Sequence, residues 1–146
     1  ANDAFIQYKR ISLSLPLDKS LAKKTTALQK ALAAYQKTAS YGISEFSTEA
    51  GFRMAELYSH LSQSLMASDR PDNLNELELE QYEILLEEQV YPFEDNAIDI
   101  HEQNASRSWN GLYDEWVKKS FVELRKLLPG RYAKDEVSME VINVLQ

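Results

Sequence analysis

The sequence predicts an all-α protein built from antiparallel helix hairpins, and three observations support this prediction. First, apolar residues recur at helical spacing in four segments, so each predicted helix can bury one side and expose the other. These segments are Leu21–Ile43, Ala50–Leu65, Leu77–Ile100 and Tyr113–Leu128. Second, the chain contains only four glycines and four prolines, which argues against a turn-rich β protein. Third, 146 residues are enough for one domain with a hydrophobic core.

We expect one helical domain over residues 1–146, in which residues 1–17 form a mainly irregular lead-in. Within the lead-in, the apolar residues of positions 3–13 suit a short helix. An extended linker is expected to follow it, because Pro16 disfavours the α conformation at the preceding residue. The chain starts without Met and is expected to be a fragment of a longer polypeptide. No apolar run approaches the ~20 residues that a membrane-spanning helix requires.

The sequence also predicts where the first two long helices begin and end. Asp18 is the predicted N-cap of the first, and Gly42 lies where its C-terminal end needs a left-handed residue. Ser47 or Thr48 is expected to cap the second. The short polar connection between the two helices predicts an antiparallel pair.

The third long helix is predicted to begin after Asn75, with Glu78 completing a capping box. Its apolar pattern is unusually dense. One stripe contains Leu79, Tyr82, Leu86, Val90, Phe93, Ala97 and Ile100, and beside it Leu77, Ile84, Tyr91 and Ile98 recur at seven-residue steps. Such a wide apolar surface predicts neighbours on two sides. At Pro92 either the helix bends or a new helix begins, and we expect a bend because the stripe keeps its phase.

A last long helix is predicted over Leu112–Leu128, after a reversal at Asn110-Gly111 and before a stop at Pro129-Gly130. Residues 134–146 form a tail in which valines recur at helical spacing. This tail is expected either to dock on the domain or to fray.

The net charge of −7 is distributed unevenly along the chain. Residues 1–43 hold seven Lys or Arg and two acidic residues, a net charge of +5, whereas residues 70–105 hold one Arg and eleven acidic residues, a net charge of −10. The acidic segment repels phosphate backbones and therefore disfavours nucleic acid as its partner. It is either a solvated helix face or a surface that meets a basic partner or the basic first segment of the chain. Replacing Glu83, Glu87 and Glu88 with Gln is then predicted to slow association with a basic partner.

Residues that commonly carry catalysis are sparse and scattered. The chain has no cysteine and only two histidines. A di-metal carboxylate bundle needs Glu-x-x-His pairs, but Leu57 and Ile98 occupy the positions three before His60 and His101. We therefore expect no catalytic residue, no metal and no other cofactor. A metal-dependent carboxylate enzyme is the least supported of the alternatives.

Exposed aromatic side chains are the more promising contact residues, because aromatics dominate interface energetics. Tyr91, Phe93 and Trp109 are expected to be partly exposed. The aromatic residues from Trp109 to Phe121 recur at helical spacing, which is typical of either a core or a ligand cage. The candidate partner-binding residues are Arg70, Tyr91, Phe93, Trp109, Glu83, Glu87 and Glu88.

Several stretches of the chain resemble a known family. The segments Leu28–Ile43 and Ala50–Leu65, followed by a proline, resemble a lengthened tetratricopeptide hairpin. Three further stretches, Glu76–Gln89, Tyr91–Ile98 and Trp109–Ser120, together with Pro129-Gly-Arg-Tyr-Ala-Lys, resemble the C-terminal region of a group of proteobacterial tetratricopeptide-repeat proteins.

This resemblance extends over residues 28–136 and implies both a fold and a function. The implied fold is a tetratricopeptide-like array of stacked hairpins or a right-handed superhelical bundle. Members of the group are envelope proteins associated with TonB-class energy transducers or gliding-motility machinery. The resemblance therefore implies a non-catalytic, protein-binding scaffold in the periplasm. A structural oligomerisation module is the alternative.

Overall fold

The computed structural model describes residues 1–40 and 44–129, and all regular structure in these two ranges is helical. The helices are α1 (Asn2–Arg10), α2 (Leu17–Ala39), α3 (Ser44–Met66), α4 (Glu76–Ser106) and α5 (Glu115–Leu127), with one 3₁₀ turn at Arg107–Asn110. No strand occurs in the described residues. The predicted all-α class is therefore confirmed.

The helices α2 and α3 form an antiparallel pair. Lys24 and His60 line one cavity near one end of the pair, whereas Thr38 and Glu49 line another cavity near the opposite end. The residue numbers thus rise along α2 as they fall along α3, as the short connection predicts.

The next pair, α3 and α4, is antiparallel as well. Tyr58 stacks on Phe93 with 6.4 Å between ring centroids, and about two helical turns away Phe52 lies 5.5 Å from His101. The residue numbers thus fall along α3 as they rise along α4. Because α3 also packs against α2 and α5, it is the central helix of the fold. Its fully buried leucines Leu57, Leu61 and Leu65 belong to the main hydrophobic core.

The lead-in contains the predicted short helix, α1, which fills more than half of residues 1–17 and packs into the core. The fully buried Tyr8 donates its hydroxyl proton to the Leu57 carbonyl at 2.9 Å. Lys24 of α2, also buried, donates to the Ile11 carbonyl at 2.7 Å and to the Tyr8 carbonyl at 3.2 Å. The ammonium group thereby binds carbonyls at the C-terminal end of α1, where the helix dipole favours a cation. Residues 11–16 are not helical, as expected for a linker.

Two predicted N-caps are wrong because both helices begin earlier than expected. The N-cap of α2 is Pro16, so Asp18 lies inside the first turn, where its charge still suits the positive helix end. Since α3 begins at Ser44, Ser47 and Thr48 lie within the helix. Their hydroxyls donate to other elements instead, to the Ala39 carbonyl and to Asp114 Oδ2. Gly42 lies outside the described residues.

The long helix α4 follows the prediction at its start and extends beyond it at its end. Asn75 and Glu78 form the predicted capping box. The helix runs through Pro92 to Ser106, so no new helix begins at the proline. Gly111, with a φ of 81°, occupies the predicted reversal.

The helix α5 begins at Glu115 rather than Leu112, because Asp114 is its N-cap and accepts a hydrogen bond from the Val117 amide. The predicted tail, residues 134–146, lies outside the described residues.

Candidate interaction surface

The outward-facing side of α4 carries three large apolar side chains that the described residues leave exposed. Leu77, Ile84 and Tyr91 have exposed fractions of 64%, 56% and 59%. They are seven residues apart, close to two helical turns, and so form a line about 21 Å long on one face of the helix. We call this line the α4 ridge. Leu85, which is 60% exposed, lies beside it.

The opposite side of α4 is the one that holds the helix in the fold. Leu86 and Val90 are buried in the main core, and Tyr82 and Phe93 pack against that core. The sequence predicts neighbours on two sides of α4. Within the described residues, the N-terminal half of α4 has neighbours on one side only. Further along, Ile98 packs against a second cluster formed with α5.

Carboxylates flank the α4 ridge on both sides. The helix contains ten acidic residues and neither Lys nor Arg. Helical spacing places Glu80 and Glu87 on one side of the ridge and Glu88 and Asp95 on the other. All four are exposed, and no ion pair joins any of them to another described residue. The ridge thus combines apolar area with negative charge that this part of the fold leaves uncompensated.

Arg70 and Glu83, two of the candidate contact residues, bind each other. Arg70 Nε and Nη2 donate to Glu83 Oε1 at 2.5 Å and Oε2 at 2.9 Å, and Arg70 Nη1 donates to the Ser68 carbonyl. The hydrogen bond from Arg70 lowers the pKa of the Glu83 carboxyl and raises the pKa of the guanidinium. This bidentate ion pair joins the α3–α4 connection to α4, so both side chains are engaged within the fold.

The other candidate residues do not form one site. Tyr91 lies on the α4 ridge, with Glu87 and Glu88 beside it. Phe93 faces α3 and stacks on Tyr58. Trp109 is 81% exposed in the 3₁₀ turn, about 27 Å from Tyr91 along the helix axis.

The α4 ridge includes residues that the candidate list lacks. Leu77 and Ile84 of the ridge, and Glu80 beside it, are absent from that list, although the seven-residue recurrence of Leu77, Ile84 and Tyr91 is visible in the sequence. The recurrence alone does not distinguish a line that meets a neighbouring helix from one that faces solvent.

The two histidines, distant in sequence, line one cavity of about 280 Å³ between α1, α3, α4 and α5. Glu56, Glu123 and Lys126 also line it, so its charges are mixed. Burial, followed by the positive charges of Lys24 and Lys9, lowers the pKa of His60.

His101 is buried within a polar network. Its Nδ1 lies 3.0 Å from Ser120 Oγ, and Asn104 Nδ2 donates to the same hydroxyl at 3.1 Å and to the Thr48 carbonyl at 2.9 Å. The Ser120 hydroxyl thereby bridges the Asn104 amide and the His101 ring. Burial lowers the pKa of His101 to about 4, so the ring is neutral near pH 7.

The pairing of His101 with Ser120 has the residue types of a base and a nucleophile, but its surroundings do not suit that chemistry. The Ser120 side chain is fully buried. A substrate has no access to its oxygen, and the hydroxyl is already hydrogen-bonded to both Asn104 and His101. The network therefore fixes the packing of α3, α4 and α5.

Within residues 1–40 and 44–129, no group of three or more histidine or acidic side chains is arranged to hold a metal ion. Among the described helices, none combines the length and the apolar character needed to cross a membrane. No protein-family model, curated protein or solved structure matches this chain.

Proposed function

We propose that this chain is a non-catalytic scaffold for protein–protein interaction and that the α4 ridge is its docking surface. The observation that carries the proposal is the exposure of three large apolar side chains in one line, between carboxylates that form no ion pair with another described residue. Exposed apolar side chains grouped in this way are typical of interaction sites. Charge on both sides of such a line steers a partner and fixes its register.

The finer features of this function rest on the resemblance to proteobacterial tetratricopeptide-repeat proteins. They are the tetratricopeptide-like stacking of the hairpins and a periplasmic location as an envelope adaptor. Sequential antiparallel packing of α2, α3 and α4 is compatible with such stacking.

A structural oligomerisation module is the second candidate, and one observation favours it. The exposed face of α2 carries Lys19, Lys23, Lys30 and Lys37. Lysines on one helix and carboxylates on another are complementary, so two copies could associate through α2 of one and α4 of the other.

Site-specific photo-crosslinking in the native cell tests the proposal. p-Benzoylphenylalanine is placed at Ile84 or Tyr91 on the α4 ridge, and at the exposed Gln29 of α2 as a control. We expect adducts with a different polypeptide from the two ridge positions and not from Gln29. No adduct at the ridge would overturn the proposed function, and an adduct with a second copy would favour the oligomerisation module.

A further inference from the structure

The spacing of the apolar side chains on the α4 ridge indicates which secondary structure a bound partner segment has. Leu77, Ile84 and Tyr91 are separated by about 10.5 Å along the helix axis. A partner helix that crosses α4 at a shallow angle meets it again after every seven residues. An extended segment presents side chains to one face at every second residue and does not reproduce this repeat. The geometry therefore favours a helix lying along α4.

The charge around the α4 ridge defines the composition of that helix. Glu80 and Glu87 on one side and Glu88 and Asp95 on the other are exposed. A covering helix brings its own flanking residues close to these carboxylates. Lys or Arg there gains ion pairs and covers the ridge with its aliphatic stem, whereas Asp or Glu is repelled.

Neither α4 nor α2 of a second copy offers both the apolar area and the positive charge that the ridge requires. If α4 of one copy lay on α4 of another, carboxylates would face carboxylates. The exposed face of α2 supplies lysines, but the residues between them are small, chiefly Ala22, Thr26 and Ala33, and offer little apolar area to the ridge.

The segment 130–146 of the same chain does not meet them either. Its sequence contains two basic and three acidic residues, and so lacks the positive charge that the flanks of the ridge require.

We propose that the α4 ridge binds an amphipathic helix of another protein, with large apolar residues at seven-residue intervals and Lys or Arg on both sides of them. This inference rests on the proposed function and specifies the class of partner. A single helix laid along about 21 Å buries an area at the small end of protein interfaces, so we expect affinity on the order of micromolar.

The experiment uses a synthetic 21-residue helical peptide with Leu at every seventh position and Lys on both sides of the leucines. One reference peptide has Glu in place of each Lys, and a second has the same composition in scrambled order. Binding to the complete chain is measured by calorimetry at low and high salt. We expect the Lys peptide to bind at least about 10-fold more tightly than either reference, and more weakly as salt rises.

Variants of the protein then locate the binding surface. Ile84→Ser, and separately the triple change Glu80→Gln, Glu87→Gln and Glu88→Gln, should each weaken binding about 10-fold. A control with the same change in net charge carries Asp69→Asn, Asp72→Asn and Glu115→Gln, and should bind as the unmodified chain does. All altered side chains are exposed, and circular dichroism verifies that the variants fold.

Besides failure of the Lys peptide to bind, three results would overturn the inference. They are equal binding of the scrambled peptide, equal weakening in the control variant, and self-association of the chain that Ile84→Ser abolishes. If crosslinking at Ile84 captures another protein while the Lys peptide fails to bind, this inference falls and the proposed function stands.

Discussion

Arg70 and Glu83 form a bidentate ion pair in which two guanidinium nitrogens donate to the two carboxylate oxygens, at 2.5 and 2.9 Å. The same guanidinium also donates to the Ser68 carbonyl. Two residues that the sequence suggests as partner contacts thus hold the α3–α4 connection against α4. The charge available to a partner comes from the neighbouring Glu80, Glu87 and Glu88 instead.

Glu83→Gln should therefore affect stability more than binding. The amide keeps the shape of the side chain but loses the charge, so we expect a small decrease in the melting temperature at low salt. The decrease should become smaller at 1 M NaCl, since salt screens an exposed ion pair. Thermal melts at both salt concentrations measure it, with Glu87→Gln as the control. Identical melting of Glu83→Gln and Glu87→Gln would contradict the structural role of the pair.

Gly51 of α3 should not tolerate a side chain, because α4 approaches it closely. A Cβ atom at this position would lie 2.6 Å from Asn104 Oδ1, and Asn104 is buried and hydrogen-bonded. Gly51→Ala gains about 1 kcal/mol of helix propensity but costs about 1–3 kcal/mol in overpacking. We expect a net loss of about 1 kcal/mol in urea unfolding.

The cause of that loss can be checked in an Asn104→Ala background. There the clash is absent, so Gly51→Ala should stabilise the protein relative to Asn104→Ala alone. A similar loss in both backgrounds would show that Asn104 is not the obstacle.

The buried His101 should make stability depend on pH. Its pKa of about 4 in the fold lies below the value of about 6.5 for an unfolded chain. Between these values the unfolded chain binds more protons, so the free energy of unfolding falls as the pH decreases. The expected loss is about 2 kcal/mol between pH 7 and pH 5.

Urea unfolding at pH 7 and pH 5 measures this dependence, with His101→Gln as the test variant. The variant should be less stable at pH 7 but lose less stability on acidification. His60→Gln serves for comparison, because His60 is only half-buried. Equal losses in His101→Gln and the unmodified chain would rule out His101 as the source.

Lys24 should stabilise the packing of α1 on α2, whereas the neighbouring Lys23 should not. Lys24→Met keeps the length of the side chain but removes the ammonium group that binds the carbonyls of Tyr8 and Ile11. Leaving buried carbonyls unpaired costs about 2 kcal/mol, to be measured by urea unfolding. The exposed Lys23→Met is the matched control and should change stability by less than about 0.5 kcal/mol. Equal effects of the two substitutions would exclude this role for Lys24.

Elements whose signal is local could be predicted from the sequence. The apolar periodicity identifies the four long helices, and Asn75 with Glu78 identifies one N-terminus correctly. The caps predicted at Asp18 and at Ser47 or Thr48 are wrong because both helices begin earlier, and Thr48 bonds Asp114, which is 66 residues away. No local pattern encodes such a partner.

The candidate site illustrates the same limit. The regular recurrence of Leu77, Ile84 and Tyr91 is evident in the sequence, but only the packing of α3 shows which side of α4 is left exposed. The pairing of Arg70 with Glu83 likewise depends on how the α3–α4 connection turns. Phe93 and Tyr91 are two residues apart, yet one packs against the core and the other faces outward.

The sequential order in which the helices pack has a consequence for how quickly the chain folds. Because α2, α3, α4 and α5 each pack on the next, most of the fold requires only short loops to close, and topologies of this kind fold in microseconds to milliseconds. The longest closures bring α1 and α5 onto α3: Tyr8 reaches Leu57 across 49 residues, and Thr48 reaches Asp114 across 66 residues. We therefore expect the contacts of α1 and α5 with α3 to form last, after α2, α3 and α4 have assembled.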